Sequence, residues 1–447
     1  REGLHMSDRI LTVPLADTTA PSSGPAVYGK IARRILPFLI VCYLLAYLDR
    51  VNIGFAKLRM LQDLSFTEAA YGLGAGLFFI GYLLFEAPSN VLMMKIGAKK
   101  TIMRIMVLWG LISMGFAFVQ TPMQFYILRF LLGVAEAGFY PGIILYLTFW
   151  FPSRHRGKML ALFVTAIPLS GVVGVPLSGW ILQSMDRAHG FAGWQWLFLI
   201  EGLPSVLLGL AVPWFLTDSP QHAKWLSDDE KRSVLADLEA DARRKTQEGG
   251  DHSSILAMLA DRRVWTMVAL CICQAIGIYG VSFWLPSLVS GLGYQDVLQI
   301  GLISAAPFGA AAIALNLVGR SSDRRLERRW HLIGAFLVGA AGLVASVWLH
   351  GTPIAALVAL TVATAGVYSA TTMMWMLPSL FLNGVGMAAA IGVINSIGGL
   401  GGFVSPYVIG LIKDSTQSTS GGIYFIAAMA VIGAVLTYRL PKSLVNR

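Results

Sequence analysis

Twelve long apolar runs leave this chain one solvent to fold in. They lie near residues 33 to 57, 67 to 95, 100 to 118, 123 to 150, 157 to 183, 194 to 216, 262 to 291, 296 to 319, 330 to 349, 352 to 379, 385 to 411 and 420 to 440. A run of about 18 or more apolar residues is long enough to cross a bilayer as a helix. Lipid offers no partners for backbone N–H and C=O groups, so a spanning segment must satisfy them internally, as a helix does. The expected fold class is therefore all-α, a polytopic membrane protein with twelve transmembrane helices. Composition agrees: 56% of the 447 residues are hydrophobic and 13% charged, against about 25% charged in soluble domains, and the mean hydropathy is +0.66.

Residues 1–32 read as a polar tail without the apolar core and processing site of a cleavable signal peptide. Residues 1–5, which precede Met6, are expected to be an expression remnant. The net charge of +10 is sorted by side. Lys95, Lys99, Lys100 and Arg104 follow the second run, Arg154, Arg156 and Lys158 the fourth, and Arg320, Arg324, Arg325, Arg328 and Arg329 the eighth. All these loops share one side with Lys30, Arg33, Arg34, Arg439 and Lys442, which places both termini in the cytoplasm by the positive-inside rule. Topology thus accounts for the basic charge, and no nucleic-acid partner is expected. Cys42, Cys271 and Cys273 all fall in apolar runs and are read as buried packing, neither a disulfide framework nor a zinc site.

The one long polar stretch after the N-terminal tail, residues 217–261, divides the chain into a half spanning 33–216 and a half spanning 262–440, with 441–447 as a C-terminal tail. Inside it, SDDEKRSVLADLEADARRK has an acid-rich start after Ser227 and helix-favouring composition, which predicts a short cytoplasmic helix. The loop after the eighth run reads GRSSDR, and the corresponding loop after the second reads NVLMMKIGAKK, with Met94 where the first would place its Asp. Six runs, a cytoplasmic linker and six more, with this loop signature in both halves, resemble the major facilitator superfamily, which implies a substrate site at the midplane between the halves. Forty-seven glycines offer no complete nucleotide loop, since neither G-x-G-x-x-G after a strand nor G-x-x-x-x-G-K-[ST] occurs; they suit close helix packing instead. No H-E-x-x-H or G-x-S-x-G is present either, so no enzyme is expected. Uphill transport would then draw on an ion gradient or a counter-substrate, with no cofactor beyond a coupling ion.

Two opposite charges, Asp49 and Arg50, stand side by side in the first run, where a charge near the bilayer centre costs about 2.5 to 3.5 kcal/mol. At about 100° per residue, Tyr43, Tyr47 and Arg50 share one stripe and Asp49 and Asn52 the adjacent one, so the two charges point in different directions. The fourth run adds Arg129 and Glu136, seven residues apart on one face. A carboxyl in a dry site is sensitive to whether a cation is near, as a proton-coupling site requires. The same set could instead fix the first span against the fourth, though two acids and two arginines exceed what packing needs. Glu86 reads as a gate or loop contact and Glu201 as a structural partner. Tyr82, Tyr279, Trp284, Trp375 and Asn395 are candidate cavity residues, although aromatics in spans more often serve packing or interfacial belts.

The runs YLDRVNIGFA, EAPSNVLMMKIGAKK, RFLLGVAEAGFYPGIILYLTFWFP, GWQWLFLIEGLP and NSIGGLGGFVSPYVIGLIKDS resemble the anion:cation symporter family of that superfamily, and AIPLSGVVG its tartrate-type bacterial branch. The resemblance, over about residues 33 to 440, implies that Arg50 holds a substrate carboxylate and that Asp49 and Glu136 bind and release protons. It further implies that Arg129 pairs with Glu136, and that Tyr47, Tyr82, Trp375 and Asn395 contact substrate. Where many relatives carry Asn, this chain carries Gly399. The implied activity is proton-coupled import of a small organic anion, a hydroxy-dicarboxylate or sugar acid, through the bacterial inner membrane. Aromatic carboxylates, or exchange of anions, remain alternatives, and the protein is expected to act as a monomer in the lipid bilayer.

Overall fold

The structure, a computed structural model, describes residues 25–248, 261–378 and 384–441. Among them are twelve helices long and apolar enough to cross a membrane. They are α1 (Ala26–Leu64), α2 (Glu68–Ile96), α3 (Ala98–Phe118), α4 (Pro122–Thr148), α5 (Ser153–Ser184) and α6 (Gly193–Phe215), then α7 (Arg262–Gly291), α8 (Val297–Arg325), α9 (Arg329–Trp348), α10 (Pro353–Met376), α11 (Ala390–Thr416) and α12 (Ser420–Arg439). They form two six-helix halves, α1–α6 and α7–α12. Residues 1–24, including the expected remnant, residues 249–260 of the linker and the tail beyond Pro441 lie outside the described residues.

Helix ends follow local signals. Thr67 caps α2 by accepting from Ala70 N, and Thr121 opens α4 with Gln124 in a reciprocal capping box followed by Pro122. Asp296 caps α8 through Gln299 N at 2.7 Å. Two elements outrun their apolar stretches. Helix α1 begins at Ala26, well before residue 33, because Tyr28, Ile31 and Ile35 carry a buried stripe at helical spacing through the Lys30, Arg33 and Arg34 segment. The eighth continues to Arg325, so GRSSDR, expected as a loop, is the helix's last turns, closed by Leu326 in the left-handed region. At the matching place in the other half, where Met94 replaces the Asp, Asp218 accepts from Lys99 N at 2.8 Å and takes over the start of α3.

The linker carries the expected helix, Asp228–Glu248. Ser227 and Glu230 exchange bonds at its start, and the helix docks on the first half alone in the contacts described: Lys30 on Glu230 at 2.8 Å, Tyr28 and Arg154 on Asp237, Ser153 on Asp241. The Lys30 ammonium beside Glu230 holds its carboxyl below the usual carboxylate range.

On the face opposite the basic loops the halves close on each other. Glycines let backbones meet there: a Cβ on Gly301 of α8 would lie 2.8 Å from Val175 O of α5, and one on Gly179 of α5 would lie 2.8 Å from Val297 O. Asp414 of α11 accepts from the N–H groups of Glu68 and Ala69 at the start of α2, at 3.0 and 2.8 Å, satisfying two of that helix's free donors. Glu68 is also ion-paired to Lys413 of α11 and to Lys57 of α1, whose ammonium sits 3.1 Å from the centre of the Trp284 ring. At this end the two halves are thus packed backbone against backbone and joined by ion pairs. Gly301→Leu should therefore disfavour the sealed state by about 1–3 kcal/mol of overpacking, a shift of about 5- to 150-fold. Substrate flux through purified, reconstituted protein should fall accordingly with an unchanged size-exclusion profile; undiminished flux would show that the cycle does not need this contact.

Candidate functional site

Between the halves, open towards the basic loops, lies a cavity of about 850 Å³. Its walls come from the middle and basic ends of α1, α2, α4, α5, α7, α8, α10 and α11, and they are largely aromatic and aliphatic, with hydroxyl, amide and charged groups set among them. Arg50 supplies its deepest charge. One guanidinium nitrogen is ion-paired to Glu136 of α4, and the other donates to Tyr279 Oη of α7 at 3.2 Å, so the group bridges the two halves. The faces of Phe78, Tyr47 and Tyr82 lie 5.0, 5.6 and 5.8 Å from its carbon, within cation–π range. Arg50 Nε is buried without a partner.

Glu136 owes its position to a break in its own helix. The chain leaves helical geometry at Ala137 and turns through Gly138 at φ +86°, a conformation that suits glycine, before helix resumes at Phe139. The carboxyl thus sits at a helix C-terminus, the negative end of the peptide dipoles, and the Arg50 cation compensates it.

Asp49 points elsewhere, as the helical angle predicts, into a dry pocket inside the first half. Trp109 Nε1 and Ser205 Oγ donate to one of its oxygens at 2.8 and 3.1 Å, and Ser113 Oγ to the other at 3.0 Å. It is 2% exposed and does not line the cavity. Direct contact with substrate is closed to it, while three converging donors give it the surroundings of a carboxylate.

Arg129, expected against Glu136, makes no ion pair with it. Arg50 occupies that carboxylate, and Arg129 donates to Ala75 O at 3.3 Å and stacks 5.3 Å from the Phe78 ring. One aromatic thus lies between the two arginines. Tyr47, Tyr82, Tyr279, Trp375 and Asn395 all line the cavity, together with Tyr368, which contacts Ser282 at 2.9 Å. Glu86, read as a gate contact, accepts from Asn395 Nδ2 at 2.9 Å and Ser396 Oγ at 3.1 Å across the halves. Trp284 is no cavity residue: it is buried in the seal on the opposite face, under Lys57. Sequence reasoning missed the Gln274–Thr371 pair on the far wall, at 2.9 Å, and the three donors around Asp49. Gln274, an amide inside an apolar run, was the available signal for the first; the donors around Asp49 gave none.

Twelve helices in two halves, with a charge-bearing cavity at their interface that is sealed at one end, define a transporter. Residues 39–406 match the Major Facilitator Superfamily, and the chain belongs to that family. A protein of Agrobacterium vitis named "Putative tartrate transporter" is 47% identical over 417 residues, covering 93% of this chain and 92% of its own. A "Quinolone resistance transporter" of Acinetobacter baumannii is 43% identical, covering 92% and 94%. Among solved structures, the partially occluded inward open conformation of the xylose transporter XylE from E. coli superposes with a TM-score of 0.73 at 17% identity, over 93% of this chain and 99% of that one, a likeness of fold.

Proposed function

We propose that this protein is a proton-coupled symporter that imports a small organic anion, a hydroxy-dicarboxylate such as tartrate or a sugar acid, across the bacterial inner membrane by alternating access, with both termini and the basic loops in the cytoplasm. The observation that carries this reading is the Arg50 guanidinium on the cavity wall, already engaged by the Glu136 carboxylate. A substrate carboxylate and Glu136 compete for the same cation. Protonating Glu136 removes the competitor and leaves the charge and the fork of donors to the anion. When the cavity opens to the cytoplasm, loss of that proton lets Glu136 take Arg50 back and displaces the substrate. The conformation described corresponds to the end of that step. Asp49, held apart from substrate, is the second proton carrier of the cycle.

The energetics are favourable. Moving one net positive charge inward gains about 2.3 kcal/mol per 100 mV of membrane potential. Two protons with a monoanion are electrogenic by one charge; two with a dianion are electroneutral and driven by the pH gradient alone. In proteoliposomes, an imposed inward proton gradient should drive uphill accumulation without substrate preloaded inside. Accumulation indifferent to the gradient would sink the proposal, and an absolute requirement for preloading would replace it with anion exchange. The aromatic walls, with the relative named for quinolone resistance, favour aromatic carboxylates as the second substrate reading.

A further inference from the structure

Besides Asp49 and Glu136, the first half buries a further carboxyl that the cycle above does not use. Glu201 of α6 is 2% exposed. Ser178 Oγ of α5 donates to its Oε1 at 2.7 Å, whereas its Oε2 is buried with no partner. Asn52, one turn beyond Asp49 on α1, is 1% exposed, and its Oδ1 is likewise a buried acceptor without a partner. Glu201 stands one helical turn before Ser205, which donates to Asp49 at 3.1 Å, and the Asn52 amide nitrogen reaches towards Asp49 Oδ1 at 3.5 Å, so the three side chains meet around one pocket. No lysine, arginine or histidine is ion-paired to Glu201 or Asp49 among the described residues. Asp49 is the titratable group facing Glu201; α5 offers Ser178, and α3 presents Gly110 and Met114 to the adjoining Gly202. Beyond Asp49 stand Glu136 and Arg129.

Two carboxyls that share a dry pocket resist ionising together, and their unequal surroundings assign the roles. Asp49 has three strong donors and the setting of an anion. Glu201 has one, and faces an orphaned acceptor. We propose that Glu201 keeps a resident proton on Oε2, donated to Asn52 Oδ1, and is a positioning residue that fixes Asn52 and leaves Asp49 as the member of the pair that exchanges protons. One proton satisfies both orphaned oxygens. Its effect on transport rests on the reading of Asp49 as a proton carrier, but the proton itself does not.

Glutamine is the shape and donor equivalent of a protonated glutamate. Glu201→Gln should retain uphill accumulation and the pH profile of uptake within about twofold, while Glu201→Leu, unable to donate, should lose both. Infrared difference spectra, wild type minus Glu201→Gln, should carry the carbonyl stretch of a protonated carboxyl from mildly acidic to mildly alkaline pH. The inference is overturned if that band is missing, if Glu201→Gln keeps counterflow but loses uphill accumulation, or if uptake depends on sodium in the wild type and loses that dependence in Glu201→Gln. A wild type that ignores the proton gradient overturns the coupling proposal instead, and the infrared band then still decides Glu201.

Discussion

Arg50→Ala abolishes substrate binding and transport together. Ligand binding to the folded state raises apparent stability, so a panel of hydroxy-dicarboxylates, sugar acids and aromatic carboxylates should yield a thermal shift with wild type that vanishes in the variant. Truncating one member of a buried, hydrogen-bonded charge pair costs about 2–5 kcal/mol, so affinity should fall by about 30-fold or more. The variant should still fold, because Glu136, once relieved of its partner, can bind a proton and become neutral. A variant that retains its thermal shift would exclude Arg50 as the anion site, whatever the substrate.

Glu136→Gln separates binding from coupling. Glutamine cannot hold the Arg50 cation as a carboxylate does, so the variant mimics the protonated state. It should bind substrate at least as tightly as wild type at neutral pH, support counterflow and fail to accumulate substrate against a gradient. Its binding should also lose the weakening with rising pH that wild type is expected to show as the Glu136 carboxylate reclaims Arg50. If Glu136→Gln accumulated substrate like wild type, the proton would have to enter the cycle elsewhere, with Asp49 the remaining acid.

How much of this was legible in the sequence depends on range. Apolar runs fixed the number and order of the spans, since crossing lipid leaves a helix little choice, and the angle between consecutive residues separated Asp49 from Arg50. Distances between helices were not legible. Arg129 and Glu136 share a face, but seven residues of helix rise about 10 Å, and Arg50 from another helix reached the carboxylate first. The donors around Asp49 come from α3 and α6, where Trp109, Ser113 and Ser205 look like ordinary span residues. The seal left one overlooked trace: Lys57, a charge in the first apolar run, is 4% exposed and needed both Glu68 and a partner ring to be there. The break after Glu136 was written as a glycine, yet only the positive φ at Gly138 distinguishes it from the packing glycines nearby.

The central claim is that anion and Glu136 trade places on Arg50 by way of a proton. Its most direct measurement is the pH change of a weakly buffered solution of purified protein when a substrate from the thermal-shift panel is added at neutral pH. The account predicts that binding takes protons up from solution, and that Glu136→Gln binds the same ligand with that uptake reduced or lost. Binding with no proton uptake by the wild type, or with undiminished uptake by Glu136→Gln, would contradict it.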